Sequence, residues 1–333
     1  MPTVQVESSA PTRLDLAGGT LDIWPLYLFH DDAQTVNAAI TLRASCTVSD
    51  SDDGAWHLRS EDTETELTLP DLSGSVPTVH RLTVRLLQFF RPDPVRVVTR
   101  SASPVGAGLA GSSALNIALC GALTRYTGVR HDPEGLMDLA MNLEAQVIGV
   151  PTGVQDYRPA MHGGVSAIEM GPGGVTRTAL AVDPDRLAER IVLVYTRQSR
   201  DSGINNWEVT KRHIDGDQQV VGLFDQIAAV AQEMRQALEG GDWEEVGHQL
   251  RREWNLRKQL APGVTTPAID RVVDHGLDAG AHAAKVCGAG GGGCVLFLTE
   301  PENAPAVRQA LKDSGVAVLD TGIDSDGLLV DAH

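Results

Sequence analysis

The sequence predicts an α+β protein built as two domains. Three observations carry that expectation. The chain has 333 residues, more than a single hydrophobic core ordinarily serves. Strand-like and helix-like segments follow one another in mixed order, without the regular alternation of a doubly wound parallel sheet. A stretch rich in Gly, Pro and Asp at 171–190 separates two halves, which sets the expected domains at 1–185 and 186–333.

In chain order, residues 3–7 and 36–48 have strand-like content, and 54–70 alternates apolar and polar residues as a partly exposed hairpin does. Residues 78–90 are amphipathic with helical spacing, and "PVRVVT" at 94–99 is a short β-branched strand. The Ala/Leu-rich helix from Ser112 stops at Gly128, and a second runs from Asp132, an N-cap followed by Pro133, to Gly149. A loop over 150–164 leads to the strand "VSAIEM". The second half opens on the strand "RIVLVYT", continues through a polar loop and two or three helices over 204–282, and closes with a strand–glycine loop–strand unit, a helix at 301–314 and a strand near 316–320.

Composition narrows the function. Hydrophobic residues make up 42% and charged residues 21% of the chain, as in soluble globular proteins, and the net charge is −17. No dense Lys/Arg cluster is present to follow a phosphate backbone, so neither nucleic acid nor an anionic membrane is expected as partner. No run reaches the roughly 18 apolar residues of a membrane span, and the first residues lack the basic and apolar regions of a secretion signal. Cys46, Cys120, Cys287 and Cys294 form no CxxC pair. A cytoplasmic protein with reduced thiols, monomeric or homodimeric and acting on a small molecule, is expected.

The stretch 104–120, "PVGAGLAGSSALNIALC", fits several nucleotide signatures. Gly106, Gly108 and Gly111 satisfy G-x-G-x-x-G, but the following helix leads into another helix rather than into a strand ending in an acidic residue. Gly106 and Gly111 also bracket a P-loop spacing, but Ser112 stands where the phosphate-binding Lys belongs. Read from its chemistry, the stretch is either a tight turn capped by Ser112 or a phosphate loop. In the second reading glycines admit a close backbone approach, helix-start amides face the anion, and a serine hydroxyl serves a metal or a phosphate oxygen.

The order Pro104, Gly106, Gly108, Leu109, Ala110, Gly111, Ser112, Ser113 resembles P-x-x-x-G-L-G-S-S-A, the nucleotide loop of the GHMP kinases, with Ala110 inserted. That is the family of galactokinase, homoserine kinase, mevalonate kinase and phosphomevalonate kinase. Two further segments share the likeness: "PTRLDLAGGTLDIW" at 11–24 resembles the first family motif, and "AKVCGAGGGGCVLF" at 284–297 the third. The paired Gly18 and Gly19 with Asp22 are most similar to sugar kinases acting on heptose 7-phosphate or fucose.

This resemblance implies an N-terminal domain with a left-handed βαβ crossover and a ferredoxin-like C-terminal domain, with ATP and substrate meeting between them. It implies that Asp156 acts as base with Arg13 beside it. It places ATP along 104–113 and at Gly290 and Gly291. Mg²⁺ is implied at Glu144 with Ser112 or Ser113. The substrate is implied at Gly18, Gly19, Thr20, Asp22, Gly153, Asp156 and Gly164, with Gly163 on the same wall. Arg197 and Arg200, in a loop that resembles the heptose and fucose branch, are candidates for a distal phosphate or for a solvated surface. The implied activity is phosphoryl transfer from ATP to a sugar hydroxyl, most simply the anomeric one. The alternatives are a kinase for a mevalonate- or homoserine-like alcohol and a non-catalytic sensor of sugar or nucleotide.

Overall fold

The computed structural model describes residues 5–198 and 203–333. In the N-terminal half, β1 (Gln5–Ala17) and β2 (Gln34–Asp50) form a long antiparallel ribbon. The hairpin β3 (Trp56–Ser60) and β4 (Thr65–Leu69) follows, then α1 (Arg81–Phe90) and β5 (Val95–Ser101), which lies parallel to β3. Helices α2 (Gly111–Thr127), α3 (Pro133–Ile148) and α4 (Tyr157–His162) come next, and β6 (Val165–Gly171) and β7 (Gly174–Ala179) complete this half.

The C-terminal half contains α5 (Pro184–Ala188), β8 (Ile191–Tyr195), α6 (Gly203–Ile214), α7 (Gln218–Gly240), α8 (Trp243–Leu260), α9 (Pro267–Asp278), β9 (Ala283–Val286), β10 (Cys294–Leu298), α10 (Ala304–Asp313), β11 (Ala317–Leu319) and β12 (Leu329–Ala332). Its sheet runs β11-β8-β10-β9 with every pair antiparallel. Counting only these four strands, the order is fourth, first, third, second, which is ferredoxin-like. The first sheet runs β12-β1-β2-β5-β3-β4, with β6 and β7 joined through β2. The last strand therefore returns to the first sheet and pairs with β1. Gly121 on α2 leaves room for that return, since a Cβ there would stand 3.0 Å from Leu328.

Three sequence expectations change. The segment 150–164 contains the helix α4, and 204–282 carries four helices rather than two or three. The strand expected over 3–7 extends to Ala17. Its first residues alternate in burial, whereas 10–17 are buried on both faces. The reason is packing: α2 covers one side of β1, and α7 and α8 reach it from the C-terminal half. Arg13 and Asp15, two residues apart, share a strand face in this enclosed stretch. Two buried charges on a central strand demand partners from elsewhere in the chain.

Candidate active site

A cleft of about 620 Å³ opens between the two halves. Its wall takes in the whole run Pro104–Ser113, with Arg13, Asp15, Thr20, Asp22, Glu144, Gly153 and Asp156. Residues of the other half face them, among them Asn206, Trp207, Thr210, Arg257, Gly288 and Ala289.

The glycine loop ends at α2. The N-cap is Ala110, in the left-handed conformation (φ 60°), and no side chain caps the helix. The turn capped by Ser112 is therefore not formed, because the Ser112 hydroxyl is used elsewhere. An uncapped helix start leaves amides facing the cleft, the arrangement suited to an anion. The third glycine loop locks onto this one: Cys294 N donates to Ala107 O (2.8 Å), and a Cβ on Gly293 would stand 2.6 Å from that same oxygen. Close backbone approach thus explains Gly293. Gly290 and Gly291, expected at the nucleotide, do not line the cleft but back onto the Val264 and Gly263 carbonyls. Gly288 and Ala289 form the wall in their place.

Arg13 binds Asp156 through both Nε (2.9 Å) and Nη2 (2.5 Å), each donating to Oδ1. Its Nη1 donates to Gly108 O (2.8 Å), so one guanidinium ties the carboxylate to the glycine loop. Burial would lower the Arg13 pKa, but Asp156 and Asp15 beside it hold it above the ordinary value. The cation is permanent. Asp156 sits at the N-terminal edge of α4 and is partly open to the cleft.

Glu144 projects from α3 onto the start of α2. Ser112 Oγ donates to Oε1 (2.5 Å), while Ser113 Oγ (3.0 Å) and the Tyr157 hydroxyl (2.7 Å) donate to Oε2. Burial pushes the Glu144 pKa up, and these hydroxyls oppose the shift. Among the described residues no cluster of three or more His, Cys, Asp or Glu forms a metal site. One carboxylate and two hydroxyls, all oxygen donors beside the glycine loop, nevertheless suit Mg²⁺, which takes few protein ligands and completes its shell with phosphate and water.

Asp22 is 2% exposed. It accepts from Gln155 N and Gln155 Nε2, both at 3.1 Å. Burial, reinforced by the Asp156 charge, raises its pKa to about 7. Gly153 is obligatory here, since a Cβ would fall 1.9 Å from Asp22 Oδ2. Thr20 lines the cleft with φ 74°. Gly18 and Gly19 do not line it: Gly18 presses on Gln34 O, and Gly19 leaves room for the Asp15 carboxylate. Gly164 also lies outside, bonded to Asp324 O through its amide (2.6 Å). Arg197 is exposed and outside the cleft wall. Arg200 lies outside the described residues.

Sequence reasoning missed a second charged cluster at this site. Asp15, Glu253, Arg257 and Lys285 are all buried. Lys285 Nζ contacts Asp15 Oδ1 (3.1 Å) and Glu253 Oε1 (3.3 Å) and donates to Asp15 O (2.9 Å). Lys285 belongs to the third motif and so was visible in it. Glu253 and Arg257, spaced i,i+4 on α8, have the spacing of an ordinary exposed helix pair. Gln155, visible beside Asp156, turns out to hold Asp22 in place.

The comparisons with known proteins agree with this geometry. The family description "GHMP kinases N terminal domain" matches residues 78–164, and "GHMP kinases C terminal" matches 234–317, together more than half of the chain. The chain is a GHMP kinase. It therefore belongs to a family of ATP-dependent phosphotransferases. This GHMP kinase is 26% identical to a D-glycero-alpha-D-manno-heptose 7-phosphate kinase of Campylobacter jejuni, over 97% of the chain and 98% of the relative. It is 29% identical to a mevalonate kinase of Thermococcus sibiricus, over 71% of the chain and 69% of the relative. A crystal structure described as a D-glycero-D-manno-heptose 1-phosphate kinase from Bacteriodes thetaiotaomicron shares the fold, with TM-score 0.79, 24% identity and 98% of each chain covered. Among the described residues no helix is long and apolar enough to cross a membrane.

Proposed function

We propose that this GHMP kinase transfers the γ-phosphoryl group of Mg-ATP to a sugar hydroxyl, the anomeric 1-hydroxyl in particular, and that it does so in the cytoplasm. The observation that carries the reading is the Asp22 carboxyl. It is buried, fixed by Gln155, and lines the same cleft as the Arg13–Asp156 pair. A carboxyl group can serve two neighbouring hydroxyls, which a sugar presents and a simple alcohol does not. The similarity to a heptose 7-phosphate kinase along nearly the whole chain points the same way.

In this reading Asp156 accepts the proton of the attacking hydroxyl. Arg13 fixes that carboxylate and stabilises charge on the group in transit. The uncapped start of α2, with Gly106, Gly108 and Gly111 behind it, receives the phosphates. Ser112, Ser113 and Glu144 would hold Mg²⁺, which when bound neutralises phosphate charge. An anomeric hydroxyl is the most acidic on a sugar, which suits a carboxylate base. Alignment between Asp22 and Asp156 supplies much of the acceleration.

A second reading, a kinase for a mevalonate-like alcohol, is favoured by the mevalonate kinase similarity. The experiment that separates them is ADP release with Mg-ATP over free sugars, sugar phosphates, mevalonate and homoserine, with phosphorus NMR to locate the new phosphate. Turnover of a sugar with an anomeric phosphate is expected, and Asp156→Asn should lower kcat by about 10³-fold, within the range for loss of a positioned base. Turnover of mevalonate or homoserine alone would overturn the sugar reading.

A further inference from the structure

The two oxygens of Glu144 are not used alike. Its Oε2 accepts from the Tyr157 hydroxyl (2.7 Å) and from Ser113 Oγ (3.0 Å). Those two bonds take up both lone pairs of that atom. Asn116 Nδ2 stands 3.5 Å away, and its shorter bond goes to Ala140 O (2.8 Å). Oε1 accepts, among the described residues, only from Ser112 Oγ (2.5 Å). One lone pair is therefore left on Oε1, and both Ser112 and Glu144 line the cleft.

Tyr157 is the residue that closes Oε2. Its side chain is 1% exposed and belongs to the apolar cluster shared by α2, α3 and α4. A phenylalanine would fill that space without burying a hydroxyl, and a buried hydroxyl is costly unless it meets a partner. Here it has one on each side. Its proton goes to Glu144, so Thr152 Oγ1, 3.3 Å from the Tyr157 hydroxyl, must be the donor in that contact. Thr152 lines the cleft. The chain from Thr152 through Tyr157 to Glu144 thus runs in one direction. Tyr157 also follows Asp156 directly, at the start of α4. One dipeptide therefore carries the proposed base and holds the carboxylate proposed for the metal.

We propose that Tyr157 is a positioning residue for the metal site: by occupying Oε2 it limits Glu144 to one oxygen for a cation, and so favours Mg²⁺ over the larger Ca²⁺. The proposal rests on the Mg-ATP reading and sharpens it. Mg²⁺ keeps a compact octahedral shell with few protein oxygens, whereas Ca²⁺ takes more oxygens and accepts both from one carboxylate. Partners behind a metal ligand set its orientation, and their loss is felt in metal affinity.

The test is binding of a non-hydrolysable ATP analogue, measured by calorimetry with Mg²⁺, with Ca²⁺ and with EDTA, so that no turnover enters the readout. Glu144→Gln should remove most of the affinity that Mg²⁺ adds in wild type. Tyr157→Phe keeps the ring and loses only the hydroxyl. It should lower affinity for the Mg²⁺ complex of the analogue about 10-fold, the lower end of the range for losing a partner behind a metal ligand. Affinity for the Ca²⁺ complex should fall by less, because a second carboxylate oxygen is freed, and affinity in EDTA should not move. The preference for Mg²⁺ over Ca²⁺ therefore narrows. Thr152→Val removes the donor behind Tyr157; it should narrow the preference by a smaller amount and carries the test should Tyr157→Phe not fold. A preference left as in wild type, whether through no loss or through equal losses with the two metals, would overturn the proposal while leaving the metal site at Glu144. A Glu144→Gln protein that keeps the whole Mg²⁺ gain would remove the metal site, and the proposal with it.

Discussion

The regions around Asp15 and Asp22 start from the same conditions and end in opposite states. Both are aspartates, seven positions apart, 1% and 2% exposed. Burial pushes both pKa values up. At Asp15 the charges of Lys285, Arg257 and Arg13 overcome that push and hold the carboxyl below its ordinary value. At Asp22 the next neighbour is another carboxylate, Asp156, which adds to the push and takes the pKa to about 7. A buried carboxyl is therefore not one thing: what it becomes depends on the charge its neighbours bring. The first is a structural anion that joins the two halves. The second sits at the edge of ionisation, where it can accept a hydroxyl or donate to one.

The comparison breaks most severely at Lys285. Lys285→Met would leave Asp15 with only the charges of Arg257 and Arg13, and Glu253 with only that of Arg257. A loss of about 3–5 kcal/mol in urea unfolding is expected, the usual result of stripping one partner from a buried pair. A double variant with Asp15→Asn should lose less than the two single losses combined, since it no longer buries the Asp15 charge.

The Asp22 region should show itself in the pH dependence of stability. The folded pKa of about 7 lies above the ordinary 3.8, so the folded protein holds a proton there that the unfolded chain releases. Its contribution is fully present below pH 4 and is lost as pH rises through 7. At 1.36 kcal/mol per unit this amounts to about 2–4 kcal/mol between pH 4 and pH 8. Asp22→Asn, neutral at every pH, should flatten that slope in unfolding measured across the range. An unchanged slope would show that Asp22 is not the titrating group. The same experiment on Asp156→Asn sharpens the point, because removing the neighbouring charge should move the midpoint to lower pH.

The smallest expected effect belongs to Gln155. Its side-chain amide donates to Asp22 Oδ1, and its backbone donates to Oδ2. Gln155→Ala removes only the first, a loss of about 1 kcal/mol in stability. KM for the acceptor should rise more than kcat falls, because the residue positions Asp22 and does not touch the transferred group.

The parts that could be read in advance are local ones. The glycine loop, the helix that starts after Ala110 and the hairpin over 54–70 follow from short-range spacing, which a linear string carries in full. Arg13 lies within the first motif, and its place beside Asp156 came from the family resemblance and not from spacing. A run of four glycines says that a backbone comes close to something, but not which glycine meets which neighbour. Here Gly293 meets Gly106 and Ala107 of the first glycine loop, while Gly290 and Gly291 meet the chain after α8.

The sequence by itself determined the class of fold and narrowed 104–113 to a capped turn or a phosphate loop, because those rest on residue type and near-neighbour spacing. Tertiary structure alone decided the electrostatics of the charged cluster around Asp15. Residues 15, 253, 257 and 285 come from β1, α8 and β9, and nothing in their spacing says that α8 packs against β1, whose stretch 10–17 is buried on both faces. Burial removes water, and the loss of water makes each neighbouring charge decisive. The same Glu253–Arg257 spacing on an exposed helix would have been worth a few tenths of a kcal/mol.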